Sequence, residues 1–156
     1  MPNWAHLVTN LLYHLGLAIP IGGTLVLGAL VAPQLFRALP RHQAGAIFGP
    51  TLRRFARVRA VAFALSIAAA AVKHLVWERN VTGWIALRWA ALVFLIAAVL
   101  YEMTVLEKAL EARRVHLTPE MPEDAPERRA FQKLHKRAEA LMKASLVAAL
   151  AAMLLS

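Results

Sequence analysis

The chain has 156 residues, of which 60% are hydrophobic and 17% charged, whereas soluble domains run at roughly 45–50% and about 25%. That balance argues against an ordinary soluble domain, and the absence of cysteine removes disulfides, thiol chemistry and thiolate metal sites. A formal charge of +9 invites a nucleic-acid partner, but the cations gather at the ends of apolar runs and alternate with acids between Lys108 and Arg137. Anionic phospholipid headgroups explain them more simply, with no nucleic acid involved.

The first element is the clearest. No Asp, Glu, Lys or Arg lies between His6 and Arg37, which exceeds the roughly 20 apolar residues needed to cross a bilayer and predicts a span over about 7–36. The opening MPNWAH lacks the basic residues of a signal peptide, and the run is far longer than a signal core of roughly 7–15 residues. The span is therefore expected to stay in the membrane. Pro20 sits among Gly16, Gly22, Gly23 and Gly28, and small residues recur four apart at Ala18/Gly22, Thr24/Gly28 and Gly28/Ala32. That spacing predicts close helix packing rather than a hinge or substrate-lining break, with oligomerisation through the same Gly-rich span as a further option.

The span closes on LFRALPRH, 35–42. Pro40 cannot continue a helix and biases Leu39 toward extended dihedrals, so the chain is expected to turn and return along GAIFGPTLRRF, with Ile47, Phe48, Leu52 and Phe55 at the headgroup boundary. Further spans are expected over about 55–77, 84–106 and 134–155. Their uncharged cores, 60–72, 89–101 and 144–156, hold only 13 residues each. WAALVFLIAAVL at 89–100 nevertheless has no polar face for water, and Arg57, Arg59, Lys73, Arg88 and Lys143 can snorkel from the ends. Asp124, Pro126 and Glu127 read as the start of a helix running into the last span. Residues 1–156 thus form a single all-α domain, an integral membrane four-helix bundle.

Basic residues set its orientation. Arg37, Arg41, Arg53, Arg54, Arg57 and Arg59 flank the first long loop, and eight more lie between Lys108 and Arg137. The other side has little beyond Lys73, Arg79 and Arg88. Both long loops are therefore expected in the cytoplasm and both termini outside, which puts Trp4, Trp77, Trp84 and Trp89 at the outer interface.

Ionisable residues at membrane depth are costly and so are site candidates. With a rise of 1.5 Å per residue, Arg88 and Glu102 lie about 21 Å apart on one helix, and Arg59 and His74 about 22 Å apart on another. They sort into an outer layer of Asn10, Tyr13, His14, Lys73, His74 and Arg88 and an inner one of Gln34, Arg57, Arg59, Glu102, Glu139 and Lys143. Glu139 and Lys143 have the spacing of a same-helix ion pair, which leaves Glu102 to Arg57 or Arg59. Two histidines on neighbouring helices can also ligate a haem, although no cofactor is the simpler expectation. A third cluster is expected on the cytoplasmic side. Pro40 would bring Arg41 and His42, with Arg37, beside His135, positioned by Phe36 and Phe131, to lock the loops or bind an anionic headgroup.

LFRALPRH followed by AGAIFGPTLRRF resembles the signature after the first span of the transmembrane protein 205 family and its bacterial domain-of-unknown-function relatives. KHLVWER at 73–79, LEKALEARR at 106–114 and APERRAFQKLH at 125–135 are similar too. The resemblance implies Phe36, Arg37, Pro40, Arg41, His42, Phe131 and His135 as family positions; the relatives' small hydroxyl residues and amide after the last histidine are Glu139 and Met142 here. The wider set includes the copper-resistance D proteins and the four-helix membrane protoporphyrinogen oxidases. HLGLAIPIGG at 14–23 resembles their first span and implies His14 as a haem axial ligand. WIALRW at 84–89 resembles the oxidase motif that supplies a lysine, but Arg88 holds its proton too firmly to ligate iron.

The function expected is that of a small non-catalytic protein of the bacterial inner membrane, handling or sensing a small ligand, lipid or ion through the inner layer. A haem-dependent redox protein using His14, or a copper-handling protein, is the alternative.

Overall fold

The structure, a computed structural model, describes residues 3–78, 80–115, 117–118, 121–122 and 124–156. Those residues are all-helical, with no strand, and form four rods: α1 (Asn3–Ala38), α2 (Arg41–Val76), α3 (Gly83–Arg114) and α4 (Pro126–Leu154). Each begins or ends where a residue forces it. Leu39 is extended at φ −129° and ψ 151°, and Pro40 follows with ψ 143°, so LFRALPRH breaks the chain between α1 and α2 as the fixed proline ring requires. The Thr82 hydroxyl caps α3 by accepting from the Ile85 N–H at 3.4 Å, and Pro126 occupies the first turn of α4, where a missing N–H costs nothing. GAIFGPTLRRF is not a separate segment. It is the first part of α2, continuous through Pro50. Two wide π turns interrupt the α geometry, at Val26–Val31 in α1 and Glu102–Leu106 in α3.

The rods pack in chain order, α1 on α2, α2 on α3, α3 on α4, and α4 back on α1. Each contributes one inward stripe. On α2 it reads Ala56, Arg59, Phe63, Ser66, Ala70 and Lys73, all buried and spaced three or four apart as a helix face demands. Tyr13, Leu17, Phe63, Leu92, Leu95, Val99, Ala149 and Ala152 meet at the centre. Alanine on α2 and α4 lets the rods approach, and Tyr13 joins three of them. Its hydroxyl donates to the Ala152 carbonyl at 2.6 Å, while its own carbonyl accepts from the Ser66 hydroxyl at 3.1 Å.

Much of the outer surface is apolar. Leu75 is 81% exposed and Leu154 86%, and exposed leucines and valines run along every rod, joined by Trp4 on α1 and Trp84 on α3. In water such a surface would be a large liability; in lipid it is the expected exterior. α1, α2 and α3 are each long and apolar enough to cross a membrane, whereas α4 carries Arg137, Glu139 and Lys143 in its middle.

The small residues of α1 do not pack as their four-residue spacing suggests. Side chains added at Gly22 or Gly28 would meet nothing within 4 Å, and Ala18 is exposed. The close approaches are instead at Gly16, where a methyl would overlap the Ser66 hydroxyl and the Ala62 carbonyl, and at Gly23, under the Phe55 ring. The inward stripe of α1 repeats at three to four residues through Tyr13, Leu17 and Pro20, and Gly16 and Gly23 flank it while Gly22 points away. Gly16→Ala is therefore expected to destabilise the protein by about 1–3 kcal/mol through overpacking. Gly22→Ala should leave stability unchanged or raise it by up to about 1 kcal/mol through helix propensity. Denaturation of the two variants in detergent measures both.

Candidate functional site

The charged residues inside the rods form two layers, one at the arginine-rich end and one at the tryptophan-rich end. At the arginine-rich end Arg59, 3% exposed, donates to the Glu102 carboxylate at 2.5 Å. Arg59 belongs to the inward stripe of α2, and Glu102 opens the π turn of α3. The guanidinium also lies 5.5 Å over the Phe55 ring, and its Nε has no partner. Arg57, proposed from sequence as a candidate partner for Glu102, is exposed. Two residues along a helix is a rotation of roughly 200°, so Arg57 and Arg59 cannot share a face. Gln34 is exposed as well. Glu139 and Lys143 bond to each other at 2.7 Å, with side chains 48% and 71% exposed, so they neutralise one another outside the layer. Beside Arg59 a narrow cleft lies between α1, α2 and α4. It is lined by Thr24, Phe63 and Ser145 among others and has room for about one water molecule.

Of the loop candidates, Arg37, Arg41, His42 and His135 are all exposed. Phe36 meets Phe48 edge-on at 6.1 Å, and Phe131 stacks on His135 at 6.2 Å. The structure brings these aromatics to their own neighbours. Among the described residues, no hydrogen bond, ion pair or ring contact joins His42 to His135. The start of α2 lies instead beside the end of α3, where Arg114 passes 3.3 Å from the position a methyl at Gly49 would take.

At the tryptophan-rich end Arg88, 1% exposed, is held bidentately by Glu78, with Nη1 2.8 Å from Oε1 and Nη2 on Oε2. Sequence reasoning passed over Glu78. The available signal was its place four residues after His74, whose Nδ1 lies 4.0 Å from the same carboxylate. Lys73 stands 5.3 Å over the Tyr13 ring, and the His74 ring meets Trp89 edge-on at 6.3 Å. The hydrogen bond from Arg88, helped by the charges of Arg88, Lys73 and His74 against the opposing effect of burial, holds the Glu78 carboxyl below the ordinary carboxylate range. His14 Nδ1 donates to the Asn10 carbonyl at 2.8 Å, and Nε2 lies 3.1 Å from the Ser156 hydroxyl. A haem iron at Nε2 would have to displace Ser156 and find a slot in a core closed by Tyr13, Leu17 and Leu92, all 0% exposed. The residues present do not fit the group. Among the described residues, no three His, Asp or Glu side chains are grouped to hold a metal ion.

A sheath of exposed leucines and valines around rods that bury two arginine–carboxylate pairs defines a helical protein suited to an apolar surround. The family described as a domain of unknown function (DUF4149) matches residues 15–116, and the chain belongs to it. The match covers the LFRALPRH break, Arg59, Glu78, Arg88 and Glu102, and stops before α4. No curated protein and no solved structure matches the chain.

Two expectations follow from the pairs. Glu102→Gln leaves Arg59 buried without its counter-charge and should cost about 3–5 kcal/mol, whereas Arg57→Gln, on the exposed face, should stay within about 0.5 kcal/mol; denaturation in detergent distinguishes them. Because the folded-state pKa of Glu78 is depressed, its contribution is complete above the ordinary carboxylate range and is lost as the pH falls through the depressed value. The stability difference between wild type and Glu78→Gln should therefore shrink on acidification, as a thermal midpoint followed against pH will show.

Proposed function

We propose that this is a non-catalytic four-span membrane protein of the bacterial inner membrane, with both termini outside, that handles a small polar ligand or ion at the cleft beside Arg59. The observation that carries this reading is a guanidinium buried among apolar helices, paired on one side with Glu102 and lining a cleft with Thr24 and Ser145 on the other. A charged group at that depth is costly even when paired, and so marks a pathway or a ligand by default. The cleft admits one small species and excludes anything the size of a cofactor. Support for α4 as the fourth span comes from its packing against both α1 and α3 and from mutual neutralisation of Glu139 and Lys143. Its apolar end from Ala144 to Leu154 covers about 16 Å, and Lys143 can snorkel across part of the remainder. The exposed arginines at the opposite end from the tryptophans suit anionic phospholipid headgroups. The resemblance of LFRALPRH to the transmembrane protein 205 signature agrees with a membrane role and names no reaction.

Reporters test the topology. A fusion after Ser156 is expected to read as periplasmic and an insertion within 115–125 as cytoplasmic, and the reverse would overturn the orientation. The cleft is tested by native mass spectrometry of protein extracted from membranes. Wild type should retain a small bound species that Ser145→Leu, which fills the cleft, does not; identical spectra would remove the ligand role. A Soret band in the purified protein would replace this reading with a haem-dependent one.

A further inference from the structure

We propose that the tryptophan-rich end holds a second site, for a small oxyanion, built on Lys73 with His74 and Asn10, and independent of the cleft beside Arg59. Lys73 is 6% exposed and Arg88 1%, and Glu78 is the one Asp or Glu side chain among the described residues at this end. Arg88 takes both oxygens of Glu78, so Lys73 is left with the face of Tyr13. A ring face offsets only part of the cost of taking an ammonium out of water. The layer therefore carries one buried positive charge in excess, and a single negative charge would balance it.

Unmet hydrogen bonds point to the same place. Among the described residues His6 Nδ1 and Asn10 Oδ1 are buried without hydrogen-bond partners, and His74 Nδ1, buried too, makes no hydrogen bond and only approaches Glu78 at 4.0 Å; native interiors leave few such atoms. They lie in register. His6 touches Trp77 and Tyr13 takes Lys73, and Asn10, between His6 and Tyr13 on one face of α1, comes opposite Lys73 and His74 of α2. An ammonium, an imidazole N–H and an amide that can turn to present its N–H₂ make a divergent set of donors. Such a set suits the separate oxygens of a phosphate or sulfate better than one spherical ion. Entry is available at the edge, where the His74 and Glu78 side chains are 31% and 21% exposed. The same oxyanion chemistry is offered by a free ion and by the phosphodiester of an anionic lipid.

The test uses the whole protein in neutral detergent, with the thermal midpoint as readout. Sodium phosphate and sulfate are titrated against chloride at matched ionic strength, and phosphatidylglycerol against phosphatidylcholine. A saturable rise with phosphate or sulfate but not chloride is expected if the ligand is soluble, and a rise with phosphatidylglycerol alone assigns the site to lipid. In either case Lys73→Met should weaken the response at least tenfold in concentration. Asn10→Ala, which keeps both cations, should weaken it several-fold and serves if Lys73→Met does not fold. A midpoint that no series moves, that chloride moves equally, or that moves as much in both variants overturns the proposal. Neither substitution touches the cleft of Arg59, so the mass-spectrometric result there stands or falls separately.

Discussion

A guanidinium enclosed by apolar helices must keep a carboxylate beside it, and that requirement governs how this protein is put together. Arg59 takes Glu102 at one end and Arg88 takes Glu78 at the other, and both pairs bridge α2, or the residues just after it, to α3. Sliding one rod along the other by a single turn would strand both arginines at once. The two pairs therefore set the register of α2 on α3, which apolar packing between alanines and leucines specifies only weakly. The other seams use other means. α1 meets α2 through a close approach at Gly16 that leaves no room for a methyl, and α1 meets α4 through the Tyr13 hydroxyl.

Where the sequence was legible, a single physical quantity decided the matter. The uncharged run between His6 and Arg37 is long and apolar enough to cross a bilayer, and Pro40 ends a helix for a covalent reason, so α1 and the break after it could be read directly. The start of α2 was harder to place, because the amphipathic segment before Phe55 gives no sign that it belongs to the same helix. At the charged layers the difficulty was angular. Arg57 and Arg59 are equivalent by composition, and only the helical phase set by Phe63 and Ser66 decides which turns inward. Glu78 escaped notice because it lies beyond the last turn of α2, where a carboxylate reads as an ordinary loop residue until Arg88 is seen facing it.

The small residues of α1 carry a related lesson. Spacing by four identifies residues that share a stripe but not what the stripe faces, and here Gly22 and Gly28 face outward while Gly16 and Gly23 make the close approaches. A glycine count would have credited all four.

The π turn at Val26–Val31 acts as a clutch on α1. Continued at seven residues from Pro20 and Thr24, the inward stripe would bring Gln34 and Ala38 to the interior; instead Leu35 and Leu39 are half-buried and Gln34 and Ala38 are exposed. One additional residue in a wide turn advances everything after it by about 100°. The last two turns of α1 therefore run on a different gear from the first six, and the break at LFRALPRH is aimed by that offset rather than by the face that binds α2. A polar residue that an unbroken α-helix would send inward is rotated out to the surface, and a leucine takes its place.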